Sequence, residues 1–237
     1  MKVVILCGGK GERLIEHTET IPKPLVEIGG KPIVWHIMKL YSHYGYNDFV
    51  LCLGYKGKMI IDFFKEHENK NWNMEFVDTG AETNTGGRIK KIEHRIDTED
   101  FLVTYADGVS DINIKETIEF HKNHGKAATM TCVNLRSNFG IVGIGKDKLV
   151  TGFNEKPFMD MWINAGFFVF NKKVFNYLDE NSVLEQEPMK KLAADSELVA
   201  YNYEGFWECM DTYKDTRILN EMYDNEEAKW MVWCKDD

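Results

Sequence analysis

The residues best suited to do chemistry begin at the N-terminus, in Leu6-Cys7-Gly8-Gly9-Lys10-Gly11-Glu12-Arg13-Leu14. Glycines in such a stretch let backbone N–H groups turn inward and approach a polyphosphate that side chains would block. The stretch is not a Walker loop, because no Gly-Lys-Ser/Thr follows. Nor is it a dinucleotide fingerprint, since Leu14 stands where the third glycine would be. In isolation an ordinary glycine turn accounts for it equally well. Nine residues past Arg13 comes Pro22-Lys23-Pro24-Leu25. Proline restricts its own φ and the residue before it, so a stiff extended segment presenting Lys23 with little freedom is expected. A pre-positioned cation beside a phosphate loop suits phosphoryl transfer.

Further along, Asp107 ends an apolar run and precedes a glycine, a place where open α/β sheets put their ligands. A carboxylate there suits Mg²⁺, which takes oxygen ligands. The bland alternative, a turn or helix-capping aspartate, fits Asp111 better. Thr85-Gly86-Gly87-Arg88 reads as a loop before a helix starting at Ile89. Its amides suit contact with a base or ribose, and a simple glycine turn fits as well.

These groups need a scaffold. Val3-Val4-Ile5-Leu6 is a continuous apolar run of the kind found in central parallel strands. Helices are expected from Lys31-Pro32 to near Gly45, over 58–64, 89–96 and 113–123, with strands over 49–53, 73–77 and 101–105. Alternation at this spacing implies βαβ units and a mostly parallel sheet. After about residue 125 the runs 127–133, 140–144, 149–153 and 163–170 are strand-like with short turns, followed by helices over 187–194 and 212–223. The expected architecture is α/β: a Rossmann-like, mostly parallel mixed sheet flanked by helices, with a smaller added β portion. With no repeat or linker, 1–237 reads as a single domain, 1–125 holding the nucleotide and 126–237 the acceptor.

A formal charge of −9 disfavours a general nucleic-acid binder. No run approaches the ~18 apolar residues of a membrane span, and Met1–Leu6 is too short for a signal-peptide core, so a cytoplasmic protein is expected. The five cysteines are scattered without a C-x-x-C pair, which indicates neither zinc nor a disulfide framework. The histidines show no metal spacing. Trp230-Met231-Val232-Trp233 reads as an oligomer contact or a strand against the body.

The order G-G-x-G-x-R-L, then P-K-P-L-V-E-I-G-G-K-P-I, resembles the sugar-phosphate nucleotidyltransferase family, and within it the glucose-1-phosphate cytidylyltransferase branch. The resemblance continues through Val77-Asp78-Thr79-Gly80, Thr85-Gly86-Gly87-Arg88, Thr104-Tyr105-Ala106-Asp107-Gly108, Glu155-Lys156-Pro157, Asn164-Ala165-Gly166 and Glu185-Gln186-Glu187-Pro188. It ends with Gly205-Phe206-Trp207 and Met210-Asp211-Thr212, so it spans nearly the whole chain. It implies transfer of CMP from CTP to a phosphorylated acceptor, with Mg²⁺ as cofactor. By the same resemblance Leu6, Gly8, Gly9, Gly11, Arg13, Lys23, Thr85, Gly86, Gly87 and Asp107 bind the nucleotide, with Lys23 and Arg13 catalytic. Lys156, Asn164, Gly166, Glu187 and Trp207 would hold the acceptor, and Asp107 and Asp211 the metal. Without the resemblance Asp211 reads as the cap of the helix at Thr212, and Trp207 as either a stacking wall or core.

Two departures stand out. Relatives usually carry Thr or Ser at the position of Glu12, where a carboxylate would repel phosphate. The stretch between Phe64 and Val77 is also shorter than in the glucose-1-phosphate enzymes, where an inserted segment helps to build the oligomer. A homo-oligomer therefore stays an open expectation. The favoured acceptor is a sugar 1-phosphate such as glucose 1-phosphate. Capsule-pathway relatives acting on a non-sugar phosphate such as L-glutamine phosphate supply the alternative. A non-catalytic nucleotide-binding regulator is a further reading, disfavoured because Lys23 and Asp107 are both present. A dinucleotide-dependent oxidoreductase fails on glycine spacing.

Overall fold

The computed structural model describes residues 1–11, 20–137 and 139–233. The first half alternates strands and helices as the sequence predicts. β1 (Val3–Leu6) is followed by a 3₁₀ turn (Lys23–Leu25), the two-residue strands β2 (Glu27–Ile28) and β3 (Lys31–Pro32), and α1 (Ile33–His43). Then come β4 (Asp48–Leu53), α2 (Gly57–Glu66), β5 (Asn73–Asp78), α3 (Thr85–Lys91), β6 (Asp100–Tyr105), β7 (Gly108–Ser110) and α4 (Ile114–His124). The second half contains β8 (Ala128–Arg136), β9 (Ile141–Ile144), β10 (Val150–Asn154), β11 (Phe158–Asn171), α5 (Glu187–Ala194), β12 (Leu198–Tyr203), β13 (Trp207–Cys209) and α6 (Tyr213–Asp224).

Seven strands form one sheet in the order β12-β8-β11-β6-β1-β4-β5. β1 runs parallel to both β4 and β6, while β11 is antiparallel to β6 and β8. Strand residues alternate between faces, so Val3 and Ile5 enter one core cluster and Val4 and Leu6 another. Both faces are therefore covered, which explains why β1 reads as an unbroken apolar run. Because β1 has parallel neighbours on either side, the loops after β1 and β6 open onto the same crevice.

The helices start where their caps dictate. The Asn113 side chain accepts from the N–H groups of Lys115 and Glu116, and Gly125 closes α4 with φ +64°. Thr212 and Asp215 form a capping box at α6. This makes Thr212, rather than Asp211, the cap, and leaves the Asp211 carboxylate for another role.

Three expectations need correction. The helix placed at 89–96 begins at Thr85, and only a 3₁₀ turn covers Glu93–Arg95. Lys23 does not sit in an extended segment: Leu25 N donates to Pro22 O at 2.8 Å and Val26 N to Lys23 O at 3.1 Å, closing a tight turn. β12 was not anticipated; it adds a parallel edge strand beside β8. The C-terminal tryptophans pack against the body, with Trp230 and Trp233 buried beside Trp35 and His36. Cys7, Cys52, Cys132 and Cys209 form no disulfide with one another, and Cys234 lies outside the described residues.

Candidate functional site

β1 ends in Gly8 and Gly9, and the segment that follows is anchored from beneath. Cys7 N donates to Cys52 O at 3.0 Å, and Tyr55 N donates to Gly8 O at 3.2 Å. Under Gly8 lies the guanidinium of Arg88, a residue only 4% exposed. It donates to the carbonyls of Gly8 (3.0 Å), Leu53 (2.9 Å), Gly80 (2.8 Å) and Ala81 (3.3 Å), and to the Thr79 hydroxyl. No carboxylate pairs with Arg88 among the described residues. Burial lowers its pKa, yet guanidinium stays charged in proteins. A Cβ at Gly8 would lie 2.1 Å from that group, so glycine is required there by the cation below as well as by any ligand above.

Above the loop is a cleft of about 580 Å³. Leu6, Gly8, Gly9, Gly11, Lys23, Thr85 and Asp107 all line it, so the structure brings most of the expected nucleotide-binding residues together. Gly86 and Gly87 do not line it. They let α3 pack on the 180–182 segment, where a Cβ at Gly87 would fall 2.2 Å from Glu180 O. Gly87 N also donates to Ser182 O at 2.9 Å. Arg13 and Glu12 lie outside the described residues.

On one side of the cleft Lys23 Nζ donates to Asp107 Oδ2 at 2.7 Å and to Asp211 Oδ1 at 2.6 Å. The three side chains are 12–26% exposed. Burial by itself would lower the Lys23 pKa, but the two carboxylates outweigh it and the value rises. Asp107, Asp211 and Cys209 place their ligand atoms within 4.8 Å of one another. Two carboxylates converging on one positive charge fit a divalent cation that prefers oxygen.

The expected acceptor residues divide. Asn164 Nδ2 donates to Tyr105 Oη at 3.3 Å, and Asn164 Oδ1 accepts from Gly166 N at 2.8 Å. Gly166, with φ +79°, lies against the Tyr105 ring, and Trp207 Nε1 donates to Ala165 O at 2.8 Å. Asn164 and Gly166 therefore lie against Tyr105, itself part of the cleft wall, and Trp207 is held beside them through Ala165. Lys156 is instead exposed in the turn between β10 and β11, and Glu187 is exposed at the start of α5, paired with Lys190 at 3.1 Å. Neither lines the cleft.

Sequence reasoning passed over several site residues. Glu185 accepts from the Tyr105 and Thr85 hydroxyls, the latter at 2.7 Å, and so ties the α3 start to β6. Burial, with Glu185 beside it, pushes the Tyr105 phenol far above its usual range. Glu185 and Arg88 both stand in stretches that carried the family resemblance, which was the available signal for them. Cys209 offered no such signal.

A sequence model described as nucleotidyl transferase matches residues 2–217. A probable glucose-1-phosphate cytidylyltransferase of Bacillus subtilis is 44% identical over 255 aligned residues, covering 98% of this chain and all of that one. The glucose-1-phosphate cytidylyltransferase of Salmonella typhimurium is 45% identical, again over 98% of this chain and all of the relative. Both alignments are longer than the 237 residues of this chain, so the relatives carry residues it lacks. Among solved structures, HddC of Yersinia pseudotuberculosis, complexed with GMP-PN, superposes with a TM-score of 0.75 at 25% identity, over 94% of this chain and 99% of that one.

Proposed function

We propose, because this chain belongs to the nucleotidyl transferase family, that it is an enzyme transferring CMP from CTP to a sugar 1-phosphate with release of pyrophosphate. Glucose 1-phosphate is the acceptor of choice, in surface polysaccharide synthesis. The observation that carries the reading is the convergence of Lys23, Asp107 and Asp211 on one edge of a glycine-floored cleft.

The reaction is a single in-line displacement. An acceptor phosphate oxygen attacks the α-phosphorus of CTP, the bond from that phosphorus to the bridging oxygen breaks, and pyrophosphate departs with the electron pair. The acceptor phosphate is already ionised near neutral pH, so no covalent enzyme intermediate is required and the protein's task is positioning and charge neutralisation. Backbone amides at Gly8, Gly9 and Gly11 would face the triphosphate. Lys23 stays protonated and offsets its charge, and Arg13 has the same task. Asp107 and Asp211 would hold Mg²⁺, which when bound supplies further neutralisation of phosphate oxygens. Thr85, Gly86 and Gly87 are assigned to the nucleotide side, Gly86 and Gly87 by seating α3. Asn164, Gly166 and Trp207 shape the acceptor side around Tyr105. Lys156 and Glu187 belong to that side only if the segments carrying them move toward the cleft when the acceptor binds. In this scheme residues 1–125 serve the nucleotide and 126–237 the acceptor within one domain. No helix among the described residues is long and apolar enough to cross a membrane, in keeping with a cytoplasmic enzyme.

Purified protein with Mg²⁺ and CTP is expected to release pyrophosphate when glucose 1-phosphate is added. A panel containing other sugar 1-phosphates and L-glutamine phosphate defines the acceptor, and thermal shifts with CTP, UTP, dTTP, ATP and GTP define the base. Protein that binds CTP but turns over no phosphorylated acceptor would overturn the enzymatic reading.

A further inference from the structure

The proposed reaction leaves one side chain of the carboxylate cluster without a task. Cys209 places its sulfur within 4.8 Å of the ligand oxygens of both Asp107 and Asp211. The backbone fixes this proximity. In the β13–β7 ribbon Cys209 stands opposite Gly108, the residue after Asp107, and Met210 N donates to Asp107 O at 2.8 Å. Cys209 and Asp211 are two residues apart. The three donors are thus carried by one short antiparallel ribbon and its continuation.

The identity of these donors bears on which cation they prefer. Mg²⁺ is a hard ion that takes oxygen, whereas a thiolate is a soft ligand favouring zinc-like ions. Catalytic zinc sites characteristically use three protein ligands and keep a further position open. The Lys23 ammonium already bridges the two carboxylates, at 2.7 and 2.6 Å, so an entering cation competes with a resident positive charge. A sulfur ligand adds affinity that does not depend on those shared oxygens.

We propose that Asp107, Asp211 and Cys209 form a mixed oxygen–sulfur site that binds a thiophilic divalent cation of the Zn²⁺ class more tightly than Mg²⁺. This rests on the reading of Asp107 and Asp211 as the cation site. On binding, a metal–sulfur bond forms, the thiol proton passes to solvent, and nothing is oxidised or reduced.

Co²⁺, titrated into the nucleotide-free protein, tests this as a coloured substitute for Zn²⁺. Wild type is expected to develop a near-ultraviolet thiolate-to-cobalt charge-transfer band that Zn²⁺ abolishes and an equal concentration of Mg²⁺ does not. Cys209→Ser and Cys209→Ala are expected to lose the band and to bind Co²⁺ about tenfold more weakly or worse, with unchanged circular dichroism. Cys132→Ser is expected to keep the band. Co²⁺ binding seen by calorimetry without a band in wild type, a band persisting in both Cys209 variants, or no Co²⁺ binding at all would each overturn the proposal. Mg²⁺-dependent pyrophosphate release from CTP, measured in parallel, judges the enzymatic reading separately.

Discussion

Lys23 and Asp107, 84 positions apart in the chain, meet at 2.7 Å at the edge of the cleft. The same ammonium reaches Asp211 at 2.6 Å, so one cation holds together two carboxylates that would otherwise repel each other. Because the folded pKa of Lys23 is raised, this stabilisation is fully present below its unfolded pKa and is lost only as pH rises through the folded value.

Asp107→Asn keeps the shape of the side chain and removes its charge. Lys23 retains Asp211 as a partner, so the fold is expected to persist. Pyrophosphate release at saturating CTP is expected to drop by roughly 100-fold or more, the scale of losses when a metal's polar surroundings are removed. Turnover close to wild type would take Asp107 out of the cation-binding role.

Gly8 and Gly9 offer a matched comparison. A methyl at Gly8 would meet the hydrogen-bonded Arg88 guanidinium at 2.1 Å, whereas a methyl at Gly9 meets nothing within 4 Å. Gly8→Ala should therefore cost about 1–3 kcal/mol of stability through overpacking and weaken CTP binding. Gly9→Ala should leave the urea midpoint nearly unchanged. Equal midpoints for the two variants would show that the loop relaxes freely over Arg88.

Arg88 is the common partner of four carbonyls at or just past the ends of three strands, β1, β4 and β5. Truncation to alanine removes these charge-assisted hydrogen bonds, although Gly8 O keeps Tyr55 N and Leu53 O keeps Thr79 N as donors, and the cost is about 3 kcal/mol or more. Because Arg88 supports Gly8 directly, the KM for CTP is expected to rise more than that for the acceptor. A uniform change in both would mean that the residue acts on global stability alone.

His36 makes stability depend on acid. It is 1% exposed; Nε2 lies 2.9 Å from Ile28 O and Nδ1 accepts from Trp230 Nε1 at 3.2 Å, an arrangement that needs the neutral ring. Burial lowers its pKa from 6.5 to about 4. A lowered folded pKa means the unfolded chain binds the proton more readily, so stability falls as pH drops from about 6.5 toward 4. The loss approaches about 3 kcal/mol at the low end. Denaturant melts at pH 7 and pH 4.5 measure it, and His36→Gln should show a shallower dependence. A wild-type curve flat across that range would contradict the burial argument.

The helices with strong caps were legible: Asn113 before α4 and Thr212 before α6 bind their own first-turn amides, and such contacts are local. Thr85-Gly86-Gly87 misled, because glycine disfavours a helix by about 1 kcal/mol relative to alanine. Close packing on Glu180 and Ser182 outweighs that preference in the folded chain. Lys156 and Glu187 were assigned through resemblance, and the structure leaves both exposed and outside the lining of the cleft, although Glu185, two residues before Glu187, is part of it. Arg88 was visible as a letter in a motif, but nothing local shows that it turns under Gly8.

Apart from Asp211, which stood out only through the family resemblance, the sequence by itself determined the alternating units of the first half, the apolar strand that ends in glycines, and the placing of Lys23 and Asp107 where they suit phosphate chemistry. Those features depend on periodicity and turn propensity, which act over a few residues. Only the tertiary structure decided that Lys23, Asp107 and Asp211 share one point and that Cys209 stands beside them. It also decided that Arg88 holds the glycine loop from below. Contacts across 80 to 188 positions follow from the order of strands in the sheet, where the ends of β1 and β6 lie side by side. That order is set by the burial of both sheet faces together, a property that no local stretch of the chain carries.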